Sequence, residues 1–207
     1  GFFNPANFFM TLETPEAPSE VLLHSCCAPC SAAILEWMLD HGIKPTIFFY
    51  NPNIYPQKEY LIRKREIDRY AEKLGVRIID GDYCHELWRI SVLGLENESE
   101  RGKRCLACFS HRLLVTAECA RKEGITHYTT TLAGSRWKSL EQIRAAAERA
   151  DSLIPGVRYW DVNWKKGGLQ ERRSVLLKEN NFYNQLYCGC EFSMGHLSDE
   201  QKIIILK

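Results

Sequence analysis

Short apolar runs alternate with longer amphipathic stretches along this 207-residue chain. Val21 to Ser25 (VLLHS) predicts a buried strand, and Ala32 to Leu39 carries apolar side chains at helical spacing until His41-Gly42, a good helix terminus. Thr46 to Tyr50 (TIFFY), β-branched and aromatic, predicts a second strand closed by Asn51-Pro52. Pro56 to Leu74 is amphipathic, with Tyr60, Ile67, Tyr70 and Leu74 near one face, and Gly75 ends it before a third strand over Val76 to Ile79. A loop-rich stretch with Gly94 and Gly102 leads to a helix over about Cys105 to Lys122, ended by Gly124, and Ile125 to Thr131 predicts a fourth strand. Beyond Ser139 a helix to about Ala150, an extended Val157 to Val162 and a helix within Leu169 to Asn180 follow.

This order implies an α/β fold, a parallel sheet with covering helices, as a single domain over residues 20–207. Residues 1–19 read as an N-terminal arm laid loosely over the surface; the lack of a basic n-region and a continuous apolar core there argues against a secretory signal. Ligands of such sheets bind beyond the carboxyl ends of the strands. Cys26-Cys27, Asn51, Asp80 to Tyr83 and Thr129 to Thr131 each follow an apolar run and are expected on that one rim, with the chain after the third strand leading to Cys105.

Charge adds little. The net charge is +1, and the basic clusters at Arg63-Lys64-Arg65, Arg101 to Arg104, Lys165-Lys166 and Arg172-Arg173 each read as a solvated face. No apolar stretch approaches the roughly 20 residues of a membrane span.

The nine cysteines change the picture, because seven fall in three tight groups: Cys26-Cys27-x-x-Cys30, Cys105-x-x-Cys108 and Cys188-Gly-Cys190. In a reducing cytosol, the compartment expected here, grouped cysteines read as metal ligands or redox catalysts rather than a disulfide framework. Cys-x-x-Cys pairs near a helix start suit tetrahedral zinc and suit an iron–sulfur cluster equally. The adjacent pair Cys26-Cys27 is an awkward chelate for one small ion and suits a bulkier cubane better. Cys188 and Cys190 could close a strained, easily reduced disulfide across Gly189. Cys84 and Cys119 stand apart and read as small buried hydrophobes. A glycine-rich phosphate loop is absent after the first strand, and Pro29 lacks an N–H, so nucleotide binding by that loop is not expected.

Taken together, His24-Ser-Cys-Cys-Ala-Pro-Cys30, Phe49-Tyr-Asn-Pro-Asn-Ile54, Arg104-Cys-x-x-Cys-Phe109 with Arg112-Leu113, Thr129-Thr-Thr-Leu132, Asp161 with Lys165-Lys166, and Tyr187-Cys-Gly-Cys190 resemble the QueH-type epoxyqueuosine reductases from about Val21 to Ser193. The resemblance implies an adenine-nucleotide-hydrolase-like (HUP-type) fold. It also implies reduction of the epoxide of epoxyqueuosine to queuosine at the tRNA wobble position, with tRNA and an electron donor as partners and no membrane. A [4Fe-4S] cluster would fall on Cys26, Cys27, Cys105 and Cys108. Cys188 and Cys190 would be a redox-active pair, or would join Cys30 at a second metal ion, iron or zinc. The chain departs from the family at Arg136-Trp137, where a proline and a polar residue are expected, and at Trp164. Tyr50, Tyr55, Tyr83 and the thiols are candidate proton donors, and Tyr50, Asn51, Tyr55, Trp137, Lys138, Lys165 and Lys166 candidate rim residues for substrate and RNA. Two other readings keep part of the pattern: a zinc-bound tRNA-binding module, and a thiol–disulfide oxidoreductase needing only Cys188 and Cys190.

Overall fold

Five parallel strands in the order β3-β2-β1-β4-β5 form the single sheet of the computed structural model, which describes residues 12–207. They are β1 (Glu20–His24), β2 (Lys44–Phe49), β3 (Ile78–Asp80), β4 (His127–Thr130) and β5 (Arg158–Tyr159). Leu22 is paired with Thr46 of β2 on one side and Tyr128 of β4 on the other. Central position explains why Val21, Leu22 and Leu23 are all apolar and fully buried, since a parallel strand is covered on both faces. The edge strands are short, as unprotected edges tend to be.

Among the described residues seven helices connect and cover the strands: α1 (Ala28–Asp40), α2 (Gln57–Leu74), α3 (His85–Ser91), α4 (Lys103–Lys122), α5 (Leu140–Leu153), α6 (Leu169–Glu179) and α7 (Asp199–Leu206). α1 packs against α2 and α6, and α4 packs against α5. The expected α/β architecture is therefore present. Two helices are additions to the expected order. In α3 only His85 and Trp88 turn inward, while Leu87 and Ile90 are exposed, which erases the helical period. In α7 the Ser198-x-x-Gln201 capping box is a legible start signal.

A shifted boundary matters more. α1 begins at Ala28 rather than Ala32, because Pro29 is tolerated in a first turn, where its missing N–H costs nothing. Cys30 thereby joins the first turn. Residues 1–11 of the arm lie outside the described residues; from residue 12 on it is docked, with Leu12 in the core and Trp160 Nε1 donating to Pro15 O at 3.5 Å. Trp164, one of the departures from the family pattern, is a fully buried core residue that also lines the cavity described below. It meets Trp37 and Trp160 edge-on and donates to Thr129 Oγ1 at 3.2 Å.

Candidate active site and metal centre

β1 lies where the chain order reverses, between β2 and β4, and its carboxyl end opens directly into the first thiol group. The chain bends at Cys26, Cys27 caps α1 in an extended conformation, and Cys30 lies one turn in. The three Sγ atoms lie within 4.8 Å of one another, Cys26 and Cys27 at 3.7 Å. Hydrogen bonding to the Cys27 thiol, then to Cys30 and Thr131, with the Lys138 charge, holds Cys26 well below the ordinary thiol range. Burial pushes Cys27 well up, and hydrogen bonding to Cys26 leads the rise of Cys30 to about 12. One thiol of the three is thus the most acidic, at a helix N-terminus that favours negative charge. Gln185 Nε2 donates to Cys27 Sγ at 3.0 Å, and its buried Oε1 has no partner among the described residues.

The second wall is one face of α4, where Arg104, Cys108 and Arg112 recur every four residues with Cys105 beside them. Trp88 Nε1 donates to Cys108 Sγ at 3.2 Å, and the Arg101 backbone N–H to Cys105 Sγ at 3.3 Å. Burial raises the Cys105 pKa. Buried Arg112 reaches Cys108 Sγ at 3.9 Å and donates to Asn51 Oδ1 at 2.6 Å; Asn51 Nδ2 in turn donates to Ser25 O at 2.8 Å. That relay fixes α4 against the loop carrying Cys26.

Cys188-Gly189-Cys190 forms the third wall. Gly189 has φ +106°, and a Cβ there would sit 2.8 Å from Ile54 Cγ1, so glycine is required both for the turn and for its packing. Tyr55 N–H donates to Gly189 O at 2.9 Å. Arg63, paired with Glu59 at 2.8 Å, donates to Cys188 O at 3.2 Å and Tyr187 O at 3.0 Å. Glu191 is held by His85 at 2.9 Å and Arg89 at 3.3 Å. The pair is polarised: hydrogen bonding to Cys190, aided by Lys138, lowers the exposed Cys188 thiol well below the norm, and the same hydrogen bond with burial raises Cys190.

The walls enclose a cavity of about 1030 Å³, lined by Cys26, Cys30, Cys105, Cys108, Cys188 and Cys190. All nine cysteines are free thiols. Two thiolates on one tetrahedral ion, at about 2.3 Å each, stand roughly 3.8 Å apart, so the 3.7 Å spacing of Cys26 and Cys27 fits a shared metal. The bend at Cys26 between β1 and α1 brings the adjacent pair to that spacing. A donor set of thiols alone suits zinc or iron–sulfur chemistry. Cys30, grouped with the adjacent pair by spacing, packs with it, while Cys105 and Cys108 line the same cavity from α4.

The other sequence candidates scatter. Tyr50 is buried, its hydroxyl paired with His111 Nε2 at 2.8 Å and its pKa pushed up to about 12 by burial. Asn51 serves as the buried strut already described. Tyr83 donates to Ile54 O at 2.7 Å, and half-exposed Tyr55 stacks on His85 at 5.2 Å. Lys165 donates to Lys138 O at 3.0 Å, whereas Lys166 is exposed. At the mouth Trp137, 66% exposed, lies under Arg136 at 4.8 Å, and the Arg101 guanidinium ties both their carbonyls. Cys84 and Cys119 are half-buried and stand outside the cavity lining.

Three of the basic clusters are not wholly solvated faces, since each turns one arginine inward: Arg63, Arg104 and Arg172. For Arg63 the signal is present in the chain, as it shares the Tyr60, Ile67 and Tyr70 face of α2. Gln185 and Trp88 carry no comparable signature in sequence.

Residues 21–196 match the family model described as epoxyqueuosine reductase QueH. Curated relatives bearing the same description include that of Haemophilus influenzae, 48% identical over 88% of this chain and 75% of its own length. The Acinetobacter baylyi protein is 46% identical over 88% of this chain and 84% of its own, and that of Thermotoga maritima 36% identical over 84% and 90%.

Proposed function

Because the chain belongs to the epoxyqueuosine reductase QueH family, it is an oxidoreductase of queuosine biosynthesis, and we propose that its thiol-lined cavity is where the epoxide of tRNA-borne epoxyqueuosine is reduced to the alkene of queuosine. The observation that carries this reading is the convergence of three sequence-distant thiol groups on one cavity beyond the sheet edge.

Removing the epoxide oxygen as water takes two electrons and two protons. Cys26, Cys27, Cys105 and Cys108 would hold a [4Fe-4S] cluster, with Cys30, Cys188 and Cys190 left for a second metal ion, iron or zinc, or for a dithiol. When bound, such groups supply single electrons and, at an open position, a Lewis acid for the epoxide oxygen. The residues around them set the conditions. Arg112 and Lys138 place positive charge among the thiols, which favours thiolates over thiols. Burial of Cys108 and Cys190 keeps that wall dry. The cavity is large enough for a splayed-out nucleoside. Electrons would come from a one-electron protein carrier, and the reducing cytosol would keep the free thiols available.

The test is to incubate the protein with epoxyqueuosine-bearing tRNA and a low-potential reductant, then weigh the modified nucleoside. The expected result is loss of one oxygen atom. Protein that binds this tRNA yet leaves the nucleoside mass unchanged would contradict the assignment.

Net charge near zero leaves RNA affinity to local basic groups at the cavity mouth. Lys165→Ala with Lys166→Ala is expected to weaken tRNA binding roughly 3- to 10-fold and to lower the salt slope by about 1 for each phosphate no longer neutralised. Lys166→Ala alone, which leaves the Lys165–Lys138 hydrogen bond intact, separates charge loss from rim disturbance. Unchanged affinity in the double variant, measured across a salt series, would remove this segment from the interface.

A further inference from the structure

We propose that Lys138 is the proton donor to the epoxide oxygen as its carbon–oxygen bond breaks. The proposal rests on the reductase reading of the cavity. Lys138 is the single lysine among the described residues that line it. Its backbone is pinned: its N–H donates to Ser135 O at 3.2 Å, its carbonyl accepts from Lys165 Nζ at 3.0 Å, and it precedes the Ser139 cap of α5. The side chain thus enters the thiol pocket from a fixed turn.

Of the two carboxylates in the lining, Glu98 accepts the Lys103 N–H at 3.2 Å and Glu100 is exposed at the surface; the remaining acids are engaged elsewhere. The Tyr50 hydroxyl is paired with His111, that of Tyr83 donates to Ile54 O, and that of Tyr187 to Tyr55 O. His196 is exposed at the outer edge with Nε2 against Leu186 O. Arg63, Arg104 and Arg112 line the cavity but do not release protons at accessible pH. The thiols serve the metal or dithiol chemistry. Lys138 shares the cavity lining with Cys26, Cys108 and Cys188.

A one-electron carrier delivers two electrons in turn. As the first C–O bond breaks, the Lys138 ammonium gives its proton to the oxygen. The second C–O bond then breaks, a second proton arrives from solvent, oxygen leaves as water and the two carbons form the alkene. Solvent reprotonates the Lys138 amine.

The test compares wild type, Lys138→Ala, Lys138→Met and Lys138→Arg in single turnover with saturating epoxyqueuosine-tRNA, with tRNA affinity and metal content measured beside the rate. Removing a general acid is expected to slow Lys138→Ala and Lys138→Met by about 100-fold or more, with affinity and metal content within about threefold. Lys138→Arg is expected to stay slow, because a guanidinium keeps the charge without giving a proton. Methylammonium and ethylammonium should speed Lys138→Ala beyond potassium chloride at equal ionic strength. The proposal is overturned by a wild-type rate in Lys138→Arg, by less than threefold slowing in both neutral variants, by absence of amine rescue, or by an effect confined to tRNA affinity. Wild type that binds this tRNA but never reduces it would overturn the reductase reading itself, and Lys138 with it.

Discussion

Cys108→Ala is expected to strip the bound metal and abolish epoxide reduction while leaving the fold in place. Cys108 stands where three elements meet: α4 carries it, Trp88 of α3 donates to its sulfur, and it packs in one small cluster with Cys190. Alanine removes the donor atom but little volume, so the α/β core is spared. The loss should exceed the roughly 10- to 100-fold that follows loss of an outer hydrogen-bond partner at a metal site. Cys119→Ala, on the same helix but outside the cavity, is the control and should keep metal and rate. Cys190→Ser refines the picture: if Cys188 and Cys190 act as a dithiol or hold a second metal, it should lose activity while the main chromophore persists. Metal analysis and single-turnover assays check all three. A metal-replete, active Cys108→Ala protein would remove α4 from the centre.

Arg63→Met is expected to cost about 3–5 kcal/mol of stability, because it leaves the Glu59 carboxylate buried without its cation. At about 2–4 °C per kcal/mol for a chain of this size, melting should fall by roughly 10 °C. Glu59 would retain only the Tyr183 hydroxyl, at 2.8 Å, among the partners seen for it. Arg63→Met with Glu59→Leu removes both charges and should regain most of that stability. Activity should not return with it, since the carbonyls of Tyr187 and Cys188 still lose their shared donor and the Cys188 turn is released. Thermal melts alongside turnover separate the two effects. Recovery of stability and activity together would show that the buried pair serves packing alone.

Much of this is legible in the chain. The apolar runs around Leu22, Ile47 and Tyr128 are buried parallel strands and that around Ile79 a half-buried edge strand, and their order alone places Cys26 at the rim. Spacing reveals the three thiol groups, Cys30 with Cys26 and Cys27 among them, but not the distances between their sulfurs, which depend on a helix starting at Pro29's turn. Side chains that work inward against their chemical type are the hardest to read. Arg112 and Asn51 look like surface residues until tertiary partners surround them, and α3 presents so much apolar surface to solvent that its period disappears. The candidate tyrosines are engaged within the fold, the Tyr50 and Tyr83 hydroxyls in hydrogen bonds and the Tyr55 ring in a stack on His85.

The central claim, that the converging thiols hold a redox metal centre for epoxide reduction, is tested most directly by iron, sulfide and zinc analysis of anaerobically prepared protein, with its visible spectrum before and after a low-potential reductant. The account predicts a brown protein with about four irons and four sulfides for the cluster, bleached by reductant and re-coloured when epoxyqueuosine-tRNA is added. A colourless protein carrying stoichiometric zinc, with no spectral response to reductant or tRNA, would contradict it.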